Sequence, residues 1–332
     1  MQLTGIVKEL LDARVLVTGG AGFLGQHVVA RLCQIGARVT VMDTAERPAS
    51  LPAHLDLTYH QSSILNTELV RTLVGEADLV LHLAGIAEPL RYGSNPLETM
   101  DVNLLGSIQV AQACTAARVP MLFSSTSEIY GINPNSPWAE DADRVLGPVR
   151  NTRWCYSSSK AAVEHYLDAC RREQGLNYTV VRLFNVYGPN LHGRVVDRFI
   201  RAALSGAPLS IYGDGQQTRS FCHVDDVVDA LIGLITRIGE GPCVFNIGND
   251  AEVTIQDFAD LIIRLTDSRS PVVMTPSSPY LGYQDVPRRR PDIGLIRRTI
   301  GWAPTVSLEA GLLRMIESMR PPTVRASQES LA

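Results

Sequence analysis

The sequence predicts an α/β fold, a doubly wound parallel sheet followed by a smaller C-terminal α/β lobe. Three observations carry that expectation. Apolar runs of strand length alternate with helical patterns through the first half, a glycine-rich turn joins the first strand to the first long helix, and the alternation loosens beyond Asn185 as Gly and Pro become frequent. In order, a short helix-like lead spans 3–11, a strand Arg14–Thr18, a helix Phe23–Ile35 and a strand Arg38–Asp43. A strand at 79–84, a helix at 97–117 and a strand at 121–125 continue the pattern, which is that of βαβ units. A helix at 154–173, with small or apolar residues at helical spacing, leads into the buried strand Tyr178–Leu183. Later helices are expected at 224–238, 255–265 and Leu308–Met319. The expected division is a nucleotide-binding domain over 1–184, with segments around 221–248 returning to it, a second lobe over 185–320 and a flexible tail over 321–332.

Composition excludes several classes. Of 332 residues, 45% are hydrophobic and 19% charged, which rules out a mainly disordered, collagenous or coiled-coil chain. The formal charge of −4 and the lack of a basic stripe argue against nucleic acid as a partner. No run approaches the ~18 apolar residues of a membrane span and no export signal heads the chain, so no membrane association and a cytoplasmic location are expected. The six cysteines form no C-x-x-C pair and are expected as free thiols in a reducing compartment. The seven histidines form no ligand-spaced group, and no metal is expected. The basic residues are 28 Arg and two Lys, Lys8 and Lys160, a skew that suggests a GC-rich genome and singles out each lysine.

Thr18-Gly19-Gly20-Ala21-Gly22-Phe23-Leu24-Gly25 follows a strand and opens a helix, the context in which a glycine fingerprint has meaning. Gly19, Gly22 and Gly25 let the backbone approach a pyrophosphate, and the helix start at Phe23 and Leu24 supplies unpaired amides. Asp43 ends the second strand 18 residues after Gly25, where a carboxylate accepts ribose hydroxyls and repels a 2′-phosphate. The expectation is therefore a Rossmann-type domain binding NAD rather than NADP. In Tyr156-Ser157-Ser158-Ser159-Lys160, Tyr and Lys stand four apart on one helix face. The phenol is the candidate base, its pKa lowered by the ammonium and by the cationic nicotinamide.

These motifs, with Ser124-Ser125-Thr126-Ser127-Glu128-Ile129-Tyr130-Gly131 and Phe184-Asn185-Val186-Tyr187-Gly188-Pro189, resemble the extended short-chain dehydrogenase/reductase family acting on nucleotide sugars, over roughly residues 14–319. Within it, Ala87-Glu88-Pro89-Leu90-Arg91-Tyr92, Gly147-Pro148-Val149 with Arg153-Trp154, and Gly282-Tyr283-Gln284-Asp285-Val286 leading to Arg289 resemble the UDP-glucuronate decarboxylases, both the UDP-xylose synthases and the decarboxylase domain of the bifunctional polymyxin-resistance enzyme. Ser127 stands where 4,6-dehydratases carry an acid and apiose-forming synthases a cysteine, and Glu128 puts a carboxyl where 4-epimerases usually have a small residue.

The resemblance implies oxidation of UDP-glucuronic acid at C4. The resulting β-keto acid loses CO2 because the electrons delocalise into the new ketone. Tyr156 would take the C4 proton, Thr126 or Ser127 would hold the C4 oxygen, and Glu128 and Arg289 would act jointly around decarboxylation and protonation. It adds Ser62, Ala84 and Asn103 to the cofactor contacts, with Ser62 replacing the usual adenine-binding Asp, and brings Tyr156 and Lys160 to the same cofactor. Ala87, Tyr92, Arg153 and Tyr283 fall near the sugar, and Asn185, Arg194 and Arg219 near the UDP group, where guanidinium forks suit a diphosphate. Taken alone, Arg288-Arg289-Arg290 reads as a solvated basic turn. A homodimer built on the helices at 97–117 and 154–173 is expected by the same resemblance. The product is open between UDP-xylose and a released UDP-4-keto-pentose. A nucleotide-sugar 4-epimerase is the enzymatic alternative, and an NAD-binding regulatory protein is the one from another class.

Overall fold

The computed structural model of the protein describes residues 9–276 and 286–320. The tail at 321–332 and most of the expected helical lead lie outside the described residues. Seven strands, β1 (Arg14–Thr18), β2 (Arg38–Asp43), β3 (Leu57–Gln61), β4 (Leu79–His82), β5 (Met121–Thr126), β6 (Tyr178–Leu183) and β7 (Val244–Ile247), form one sheet. Their order is β7-β6-β5-β4-β1-β2-β3 and every pairing is parallel. The central strands β4 and β5 are buried along their whole length, as a parallel sheet covered on both faces requires.

Helices α1 (Phe23–Ile35), α2 (Thr67–Gly75), α3 (Ser107–Ala117), α4 (Arg153–Gln174), α5 (Val195–Ser205), α6 (Val224–Ile235), α7 (Ile255–Thr266) and α8 (Leu308–Met319) complete the main framework. One face of the sheet packs α1 and α6 around Val17, Val28, Leu32 and Leu231, and the other packs α2, α3 and α4 around Leu16, Val74, Val110 and Leu167. A third core, with Phe199, Phe221, Phe258 and Leu312 at its centre, joins α5, α7 and α8 in the second lobe. Strand β7, late in the chain, pairs with β6 and so belongs to the large sheet.

Among the elements not expected are β3, α2, α5 and β7. β3 is the edge strand, with only Leu57 of its five residues buried, so its sequence carries little apolar signal. α2 is a nine-residue helix opened by an Asn66 cap that accepts from Leu69 N–H. The helix expected at 97–117 is divided into Pro96–Met100, a π-helical turn Asp101–Gly106 and α3. The π turn carries Asn103, whose amide accepts from Ile86 N–H at 2.7 Å and donates to Ile86 C=O at 2.9 Å. A side chain thus bridges the backbone of the loop after β4 as a neighbouring strand would.

A buried polar network ties the end of the sheet together. Glu164 of α4 accepts from Ser125 Oγ, from Arg144 and twice from Arg182. Arg182 donates on to Tyr130 Oη at 2.7 Å, whose hydroxyl donates to Asn246 Oδ1 at 2.7 Å. Asn246 Nδ2 in turn donates to the carbonyls of Trp138 and Asp292. Buried polar groups that lose a partner cost about 1–3 kcal/mol each. Tyr130→Phe leaves Asn246 Oδ1 without its donor, so it is expected to lower unfolding stability by about 1–3 kcal/mol. Urea unfolding followed by tryptophan fluorescence measures this, and an unchanged midpoint would show that the network is not under load.

Candidate active site

The C-terminal ends of the strands face the second lobe across a cleft of ≈1550 Å3. A single small-molecule pocket is about 300–1,000 Å3, so there is room for two bound molecules side by side. The crevice opens where strand order reverses between β1 and β4, the topological switch point of such sheets.

The glycine turn forms one wall. Gly19 has φ +76°, and a Cβ there would stand 2.5 Å from the Ala84 nitrogen. A Cβ on Gly25 would stand 2.1 Å from Gly19 C=O. The turn is thus packed against the loop after β4 and against itself, with no space for a side chain at either position. The first intrahelical bond of α1 runs from Gln26 N–H to Gly22 C=O, so the amides of Phe23, Leu24 and Gly25 precede it and stand at the positive end of the helix. This is a cradle for a pyrophosphate. Asp43 accepts from Ala21 N–H and Ala45 N–H, both at 3.0 Å, and these two bonds fix its carboxylate beside the turn while leaving it further acceptor capacity.

Tyr156 and Lys160 of α4 both line the cleft and both are buried. The Tyr156 ring stacks on Tyr92 with centroids 5.2 Å apart and planes 5° from parallel, and Thr126 stands near its hydroxyl. Lys160 Nζ donates to Ser124 C=O at 2.9 Å and lies 4.6 Å from the centroid of the Phe123 ring. Burial lowers the Lys160 amine to about 7, against an upward pull from Glu164. The expected lowering of the phenol involves the nicotinamide as well as the ammonium, and the protein's own groups do not supply it. Burial raises the Tyr156 phenol above its ordinary value, outweighing the lowering by Thr126, Arg194 and Arg289, because a phenolate has little solvation there.

Glu128 sits in the short 3-10 turn after β5, between two guanidiniums. Arg153 donates to its Oε2 through Nε at 3.0 Å and Nη2 at 2.7 Å, and Arg289 Nη1 donates to its Oε1 at 2.6 Å. Burial alone would raise the Glu128 carboxyl, but Arg289 and Arg153 reverse this and hold it well below the usual carboxylate range. Two guanidiniums thus share this one carboxylate among the described residues. Arg289 is only 7% exposed, and its Nε is buried without a hydrogen-bond partner among the described residues. The apparent basic turn is in fact a strand. Arg288 and Arg289 pair in parallel with Thr218 and Arg219, so the ladder brings Arg289 alongside Arg219. Arg219 Nη1 donates to the carbonyls of Thr218 and Val286.

The remaining expected residues divide into two groups. Gly19, Gly22, Phe23, Leu24, Gly25, Ala87, Tyr92, Thr126, Ser127, Asn185, Arg194 and Arg219 stand on the cleft wall. Asp43, Ser62, Ala84, Asn103 and Arg153 stand behind it, touching residues that do, or farther off. Ser62 accepts from Asn66 Nδ2 at 3.4 Å, and Asn103 is fully engaged with Ile86. Tyr283 lies outside the described residues. Arg194 Nη2 reaches across the cleft mouth to Ala87 C=O at 2.5 Å, joining the two lobes, and Asn185 Nδ2 holds Ser220 C=O at 2.8 Å. The sequence reading missed His82, whose ring joins Thr18 Oγ1 at 2.6 Å and Ser107 Oγ at 2.9 Å. Burial and Lys160 lower its pKa to about 3, so it is a neutral strut beneath the glycine turn. It missed Glu164 as well.

A model described as the NAD dependent epimerase/dehydratase family matches residues 15–248. The chain belongs to this family. UDP-glucuronic acid decarboxylase 1 of Danio rerio is 36% identical over 308 residues, 92% of this chain and 72% of that protein. UDP-N-acetyl-alpha-D-glucosaminuronate decarboxylase of Bacillus cytotoxicus is 37% identical over 320 residues, 93% of this chain and 98% of that protein. The solved structure of MoeE5 in complex with UDP-glucuronic acid and NAD superposes with a TM-score of 0.82 at 28% identity, covering 92% of this chain and 98% of that one. NAD is the cofactor, and the closely packed glycine turn with its uncapped helix amides fits its pyrophosphate. Among the described residues no cluster suited to a metal ion occurs, and no helix is long and apolar enough to cross a membrane.

Two outcomes follow for the family fold in this chain. Gly25→Ala forces the turn off Gly19 C=O and is expected to weaken NAD binding about tenfold or more, equivalent to about 1.4 kcal/mol, by isothermal titration. The depressed Glu128 carboxyl makes the clamp fully stabilising above the unfolded-state value of about 4.3, and the contribution is lost as pH falls through the folded value. Stability of the unaltered protein should therefore drop more steeply than that of Glu128→Gln as the pH is taken below about 4.5, and parallel curves would contradict the clamp.

Proposed function

We propose that this protein decarboxylates UDP-glucuronic acid, using NAD, to a UDP-4-keto-pentose or UDP-xylose. The observation that carries the reading is the Glu128, Arg153 and Arg289 cluster, which sets two guanidiniums on one carboxylate and brings Glu128 and Arg289 to the cleft wall that Tyr156 also lines. A neutral hexose has no use for such a site, whereas a uronate carboxylate does. Bound NAD supplies reversible oxidation at sugar C4.

The chain's own groups do the rest. Tyr156 Oη takes the proton of the C4 hydroxyl, while Thr126 and Ser127 hold the C4 oxygen in line. Arg289 holds the sugar carboxylate, and Glu128, kept anionic, sets the direction of both guanidiniums. The 4-keto uronate then loses CO2 into the ketone without further force from the protein. Glu128 and Arg289 together govern return of a proton to the enolate carbon. Arg194, Arg219 and Asn185 grip the diphosphate, and the Arg194 to Ala87 contact closes the cleft mouth over it. Exposed Leu97 and Leu105 suit pairing with a second copy of the chain as a homodimer.

A second reading has its own support. The Bacillus cytotoxicus relative is matched along nearly its full length, and its named substrate bears the same C4 to C6 uronate chemistry with an N-acetyl group at C2. Purified protein is to be incubated with NAD and each UDP-uronate, with products followed by mass spectrometry and NADH by absorbance. Loss of CO2 from one substrate selects between the two, with NADH accumulation marking release of the 4-keto sugar. A product of unchanged mass but inverted C4 would indicate a 4-epimerase instead. Tyr156→Phe is expected to lower turnover about 10²–10⁴-fold.

A further inference from the structure

We propose that Glu164 is a positioning residue for the Tyr156 and Lys160 pair, a buried anion that keeps the Lys160 ammonium charged and in register with the phenol. The inference rests on the reading of that pair as the reacting end of the site, and not on which sugar it acts upon.

The geometry is a stripe. Tyr156, Lys160 and Glu164 follow one another at four-residue intervals on one face of α4. Two of them are hydrogen-bonded to adjacent residues at the end of β5, Glu164 to Ser125 Oγ at 2.5 Å and Lys160 to Ser124 C=O at 2.9 Å, and the next residue, Thr126, is near Tyr156. Glu164 is the one of the three with ionic partners. Arg182 donates to it through Nε at 3.2 Å and Nη2 at 2.7 Å, and Arg144 through Nη2 at 2.5 Å. A helix fixed at that point cannot slide along the strand without breaking all of them.

The charge balance around the ammonium points the same way. From β5 it meets only a carbonyl and the Phe123 ring face, and from β4 the neutral His82. From the loop after β4 the nearest position is Gly85, where a Cβ would lie 3.2 Å from Nζ and 2.9 Å from Asn103 Oδ1. On its own helix stand the phenol and Glu164. Burial of the ammonium is opposed by one carboxylate, Glu164, whose own charge is shared with Arg144 and Arg182.

The chain's composition makes the test direct. With Lys8 and Lys160 its only lysines, protein labelled with 15N-lysine gives two side-chain amine signals. A Lys8→Arg variant, which keeps the charge and removes one signal, identifies the signal of Lys160. In Glu164→Gln the Lys160 midpoint is expected to fall by about one pH unit, the lower end of what a close opposite charge contributes. A variant that loses stability while its Lys160 midpoint stays at that of the unaltered protein would overturn the proposal and leave Glu164 as a packing residue. Should that variant not fold, Arg144→Gln is read in its place. Arg144 is a quarter exposed, and its removal frees Glu164 to act more strongly, so the midpoint should rise. A midpoint that stays or falls would overturn the proposal. The amine titration needs neither cofactor nor substrate, so it stands or fails separately from the decarboxylase assay.

Discussion

One carboxylate held between two guanidiniums governs this molecule's cleft. Glu128 comes from the turn after β5, Arg153 from the first residue of α4 and Arg289 from a strand 161 residues away in sequence. Bringing three ionised groups out of water is costly, and the pairing of both guanidiniums with Glu128 offsets part of that cost. It is tolerable because Arg153 also packs over the Trp154 ring and because Arg289 borders the open cleft.

The pairing of residues 288–289 with 218–219 follows from that constraint. Like charges set side by side on a ladder repel, and Arg289 lies beside Arg219. Glu128 draws one of them toward the first lobe, while the carbonyls of Thr218 and Val286 hold the other. The two guanidiniums are thereby aimed at different parts of the same cleft. On its other side the strand Thr218–Arg219 is paired in antiparallel register by Val253 and Thr254.

What the sequence made legible was whatever is local. The glycine turn, the Tyr and Lys spacing and the buried strands each put their signal within a few residues, and β1, β2, β6, α1 and α8 lie at the expected limits. The edge strand β3 escaped because its residues are largely polar, and the π turn at 101–106 because nothing in a helical pattern announces one extra residue per turn. Arg288-Arg289-Arg290 looked like a solvated turn because two paired residues have no periodicity. Glu164 and His82 were invisible for a related reason. Their partners, Arg144, Arg182 and Ser125 for one, Thr18 and Ser107 for the other, sit on separate elements that only the folded sheet brings together.

The survival of a lysine at position 160, in a chain that uses arginine 28 times, has a physical explanation in this setting. The amine makes one hydrogen bond to Ser124 C=O, with Gly85 bare on one side and the Phe123 ring on another. A planar guanidinium carries five donors and would need acceptors that this apolar seat does not have. It would also stay charged whatever its surroundings, whereas an ammonium answers to burial and to a neighbouring carboxylate. In a chain with 28 arginines, position 160 is one that suits a small head group whose charge its surroundings set. The fourth residue along the helix, Glu164, is placed to set it.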